Sequence, residues 1–87
     1  MTSTALTAET ALGWLRSLSV DIREAAVLDA SGAVLAGDAS LAGAARDGRV
    51  VIARSDRHAV VVRHGRKALV GLLRADVEAA LAALDAG

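Results

Sequence analysis

Apolar residues recur along this chain with two different periods. Ala8, Ala11, Leu12, Leu15 and Leu18 follow the spacing of one face of a helix. Thr7 stands before that stretch as an N-cap, and Glu9 puts an acid in the first turn, where it complements the helix dipole. Trp14 sits on the flank of the stripe, one turn from Leu18, and the helix is expected to stop near Ser19. Residues 1–6 read as a flexible terminus and residues 7–87 as a single domain.

From Ala25 the period changes. Ala25 to Asp29 predicts a strand, Asp29-Ala30-Ser31-Gly32 a turn with Gly32 suited to a positive φ, and Ala33 to Ala36 the returning strand, closed by Gly37-Asp38. Asp38 to Asp47 holds one large apolar residue, Leu41, and predicts about two turns of helix ended by Gly48. Val50 to Ser55 predicts a strand, Asp56-Arg57 a tight turn and His58 to Arg63 its partner. His64-Gly65-Arg66 reads as another turn and Lys67 to Leu73 as a third strand of this meander, with Gly71 at a close backbone approach. From about Arg74 to Ala86 the helical period returns. Leu73, Val77, Ala80, Leu81 and Leu84 form its buried stripe, while Glu78 and Asp85 are expected to face water.

The predicted order is α-β-β-(short α)-β-β-β-α. Two of its three strand-to-strand links are too short for a parallel crossover. The expected fold class is therefore α+β, a five-stranded, mainly antiparallel sheet covered by helices.

Composition narrows the core and the partners. Of 87 residues 54% are hydrophobic, yet Trp14 is the sole aromatic and there is no proline or cysteine, so Leu, Val, Ile and Ala must fill the interior without disulfides or thiolate metal sites. No stretch reaches the roughly 18 uncharged apolar residues of a membrane span, and no basic-then-apolar leader opens the chain, so a cytoplasmic protein without membrane association is expected. Richness in Ala, Arg, Val and Asp suits a bacterial source. Net charge is zero but unevenly spread. Residues 46–67 carry Arg46, Arg49, Arg54, Arg57, Arg63, Arg66 and Lys67 against Asp47 and Asp56, a local balance of +5. Arg49, Arg54, Arg57, Arg63 and Arg66, with Trp14 as an anchor, are candidates for docking a partner. Zero net charge and the lack of strand aromatics argue against nucleic acid.

The strand Val50-Val51-Ile52-Ala53 is apolar on both faces, so either both faces are covered or a partner covers one. These four residues and Leu41 are the candidate dimer interface.

With the hairpin AAVLDASGAVLAG, the meander VVIARSDRHAVVVRHGRKALVGLL and the helix RADVEAALAAL, the chain resembles the roadblock / dynein light-chain family over about residues 7–86. It departs from that pattern in its shortened middle helix. The resemblance implies a homodimer, or a dimer with a roadblock-like paralogue, that extends one sheet across two chains. It also implies a scaffold or regulator of a small Ras-like GTPase, without catalysis or cofactor. The competing expectation is a PAS-like small-molecule sensor, which needs an internal cavity with a few convergent polar groups.

Candidate chemistry is sparse. His58 and His64 at opposite ends of one strand would lie about 20 Å apart, too far to share a metal. Ser55, Asp56 and His58 have the residue types of a nucleophilic triad, but a tight turn does not place the imidazole between hydroxyl and acid. HGRKALVG lacks phosphate-loop spacing. An enzyme is not expected.

Overall fold

The computed structural model describes residues 7–18, 21–38 and 49–86. The elements in chain order are α1 (Ala8–Leu18), β1 (Ile22–Asp29), β2 (Val34–Gly37), β3 (Val50–Arg54), β4 (His58–His64) and α2 (Val70–Asp85). The expected short helix from Asp38 to Asp47, and with it Leu41 and Arg46, lies outside the described residues.

Local chemistry accounts for most of these boundaries. The Thr7 hydroxyl accepts the Thr10 amide at 3.1 Å, and the Thr7 carbonyl accepts the Ala11 amide, so Thr7 caps α1 as its sequence position predicts. Asp29 closes the first hairpin. Its Oδ1 accepts the Ser31 amide, the Ser31 hydroxyl and the Ala33 amide, and Gly32 follows at φ +91°. These bonds, the Ser31 hydroxyl first and the Ala33 amide next, hold the Asp29 carboxyl below its ordinary value.

Among the described residues the sheet has four antiparallel strands in the order β2-β1-β4-β3. Its central pair, β1 with β4, is registered from Ile22 opposite His64 to Asp29 opposite His58. Both helices pack on one face. Ala11, Leu12 and Leu15 of α1 and Leu73, Val77, Ala80, Leu81 and Leu84 of α2 meet Ala25, Val27, Val51, Val60 and Val62 in one core cluster. The five α2 residues are those of the predicted stripe. The opposite face is also apolar. Ala26, Leu28, Ala59 and Val61 are buried there beside half-buried Val34, Val50 and Ile52, with no residue of either helix in the cluster.

The structure corrects the expected fifth strand. Lys67 to Leu69 are a connection, and Val70 to Leu73 are already the first turn of α2. The run Ala68-Leu69-Val70-Gly71-Leu72-Leu73 has no polar alternation, and a short continuous apolar run fits a strand or a helix equally by period. Leu73 decides it, because its side chain belongs to the helical stripe that continues at Val77. Gly71 accordingly lies in a helix with open space around it, not at a close approach. The close approaches fall at Gly37 and Gly65.

Candidate functional site

Three features of the described residues can meet a partner or a ligand: the outer edge of β3, a cleft between the hairpin tips, and the ion-paired cluster at the end of α2.

β3 lies at the edge of the sheet, paired on one side with β4 from Val50 opposite Arg63 to Arg54 opposite Ala59. Among the described residues nothing pairs with its other side. Val51 and Ala53 point under the helices, whereas Val50 and Ile52 stay half-buried on the opposite face. The two apolar faces of this strand thus differ in cover. An exposed edge with apolar side chains is a ready template for another strand.

The cleft has a volume of about 260 Å³ and is lined by residues of both hairpins, among them Leu28, Asp29, Ser31, Arg54, Ser55 and His58. None of its lining residues belongs to the cluster between helices and sheet. It is a surface depression at the hairpin tips and not an internal chamber of the core.

Next to it, the β3–β4 turn grips the end of α2. Nδ1 of His58 stands 2.6 Å from Oδ1 of Asp85, and an Arg57 guanidinium nitrogen donates to the Asp85 carbonyl at 2.8 Å. α2 has no basic residue in its last turn, so the hairpin supplies the positive groups that its C-terminal carbonyls and dipole favour. Hydrogen bonding to His58 and to the Ser55 hydroxyl holds the Asp85 carboxyl below its ordinary value of 3.8. Asp85, expected to face water, is therefore half-buried and anchored.

This cluster brings together serine, histidine and aspartate, but not as a proton relay. The Ser55 oxygen accepts the amides of Arg57 and His58 at 3.2 and 3.1 Å, and its one hydroxyl proton is shared between the His58 carbonyl at 3.4 Å and the Asp85 carboxyl, so serine and imidazole both act on the turn and the acid rather than on each other. The acid beside the imidazole is Asp85, whereas Asp56 lies exposed in the turn. The arrangement fits a latch between hairpin and helix. Because folding lowers the pKa of Asp85, its contribution is complete above pH 3.8 and fades as pH falls through the lower folded value. Asp85→Asn is expected to cost about 1 kcal/mol at pH 7. Denaturant titration should show that deficit shrink as the pH is taken down through the lowered folded value of the wild-type carboxyl and that carboxyl is itself protonated. A deficit unchanged by acid would rule the latch out.

The basic candidates do not form one patch. Arg54 and Arg57 lie at the hairpin tip, while Arg49, Arg63, Arg66 and Lys67 lie at the other end of a hairpin whose strands run about 17 Å. Arg63 pairs with Glu24 at 3.2 Å. His58 and His64 occupy the two ends of β4, and His64 is buried with Nδ1 against the Gly65 carbonyl at 3.1 Å. No three metal-ligating side chains cluster among the described residues. Trp14 is exposed on α1. Sequence reasoning missed Asp85 and Asp21. Asp21 has a φ of +61°, and its carboxylate accepts the Lys67 amide at 2.9 Å and pairs with Arg23 at 3.0 Å.

No protein-family profile matches the chain, and no curated protein or solved structure is significantly similar to it. Among the described residues no helix is long and apolar enough to cross a membrane.

Proposed function

We propose that this chain is a non-catalytic interaction module that pairs with a second copy of itself through β3. One observation carries the reading: among the described residues β3 is a sheet edge with nothing paired to its outer side and with Val50 and Ile52 left half-buried. Antiparallel pairing of two such edges satisfies the open N–H and C=O groups and brings the half-buried Val and Ile side chains of the two copies together. The result is one continuous sheet of twice the width, a rigid platform on which other proteins assemble. The resemblance to roadblock proteins points the same way, with a paralogous subunit as an alternative pairing partner. It also suggests a small Ras-like GTPase as the regulated client, in the cytoplasm.

Light scattering after size exclusion tests the pairing. The wild-type chain should hold a mass twice its 8.8 kDa over a concentration series. Ile52→Lys, which puts a charge into the paired seam at a half-buried position, should return the monomer with its helical circular dichroism intact. A dimer that survives this substitution sinks the edge-pairing proposal.

A further inference from the structure

The sheet topology gathers most of the exposed apolar side chains at one end of the helical layer. α1 leads into β1 near Ile22, Ile22 stands opposite His64 at the end of β4, and β4 leads through residues 65–69 into α2. The end of α1 and the start of α2 therefore share one end of the sheet, and the two helices pack side by side on the same face. Six large hydrophobic residues are exposed among the described ones, and five of them lie here. Trp14 and Leu18 are one turn apart on α1, and Leu69, Val70 and Leu72 surround the start of α2, with Leu72 64% exposed. Two short apolar rows on neighbouring helices are the footprint of a third helix laid across them.

The surroundings of this patch are positive. Arg16, Arg66, Lys67 and Arg74 are exposed around it, as is Arg23; of the acids here, Asp21 is taken up by Arg23 and by the Lys67 amide, and half-buried Asp76, one turn along α2 from Leu72, is itself partnered, so the balance stays positive. The first turn of α2 adds to this. It contains no acid, and Leu69 at its N-cap gives no side-chain hydrogen bond, so no side chain of that turn offsets the partial positive charge of the helix start. Two copies of such a patch repel each other, which argues against self-association here.

We infer that this end of the α1/α2 layer is a docking site for an acidic amphipathic helix of a partner protein. The partner's leucine-type side chains cover Leu18, Leu69 and Leu72, with Trp14 as the central anchor. Its carboxylates face the basic rim and the open start of α2. The site is separate from β3 and stands whether or not the chain dimerises.

Trp14 is also the only aromatic residue, so its fluorescence reports on this patch alone. The probe is a designed helical peptide of about five turns, with leucines at i, i+3, i+4 and i+7 and glutamates on both flanks. It should shift Trp14 emission to the blue in a saturable, salt-sensitive titration. Its counterpart with lysine for glutamate should not. Leu72→Asp, at an exposed position, should weaken binding at least about tenfold, as should the pair Arg66→Glu and Lys67→Glu, with circular dichroism unchanged. Equal binding of acidic and basic peptides, or no saturable shift with either, overturns the proposal. So does a shift produced only by phosphatidylserine vesicles, which would make the patch a lipid-binding surface.

Discussion

Gly37→Ala is expected to remove about 3 kcal/mol or more of folding free energy, a large share of the roughly 5–10 kcal/mol typical of so small a domain. Gly37 ends β2 at φ +93°, where a side chain adds strain of about 1–2 kcal/mol by itself. The larger cost is collision. A Cβ here would run into the Ala25 carbonyl oxygen and come within 2.8 Å of the Ala26 Cα and 2.9 Å of the Leu12 Cδ1. Two of those contacts are backbone of the central strand β1, which cannot move without disturbing its pairing with β4. The Ala25 oxygen also accepts the Asp38 amide at 3.0 Å, a bond the intruding methyl would break. Gly32 supplies the control. It has nearly the same φ, +91°, with open space around it, so Gly32→Ala should cost only about 1 kcal/mol. Urea midpoints of the two variants separate strain from collision. Equal losses would show that the close approach of β2 to β1 contributes nothing.

Gly65→Ala is expected to cost about 2 kcal/mol through a different neighbour. Its Cβ would strike the Asp21 carboxylate, with Cγ and Oδ1 both at 2.7 Å. A carboxylate on a free rotamer could swing aside. This one is pinned by the Lys67 amide and Arg23, while the Asp21 carbonyl accepts the Gly65 amide at 2.9 Å. Displacing it unties the start of β1 from the connection into α2. A double-mutant cycle checks the assignment. Asp21→Gly relieves the positive φ and removes the obstacle, although it also removes the tie. In that background Gly65→Ala should cost close to nothing, so the two substitutions are non-additive by about 2 kcal/mol. Additive losses would mean that the methyl meets something other than Asp21.

The parts of this fold that rest on local chemistry are legible in the sequence. Thr7 caps α1, Asp29 and Gly32 turn the first hairpin, and Leu73 to Leu84 carry the helical stripe, each by spacing or side-chain bonding within a few residues. The fifth strand fails because residues 68–73 are apolar without alternation. Which element they join depends on the packing of Leu73, a tertiary matter. At the candidate site, both histidines at the ends of β4 and the apolar character of β3 follow from pattern. The Asp85 anchor does not, since its partner His58 lies 27 residues away and the pairing exists only once α2 crosses the sheet. A weak signal was nevertheless present. An aspartate at the C-terminal end of a helix opposes the dipole, which hints at a compensating cation from elsewhere.

The register of β1 against β4 also dictates an order of assembly. β1 with β2, and β3 with β4, each close over a short stretch of chain, but the seam between the two hairpins joins the first strand to the last. Such long loop closure slows folding relative to local pairing. During synthesis, Ala25 and Val27 can find neither Val62 nor Val60 until the second hairpin has emerged, so the first hairpin waits with part of its core face open. The native sheet is therefore complete only when the second hairpin docks on the first.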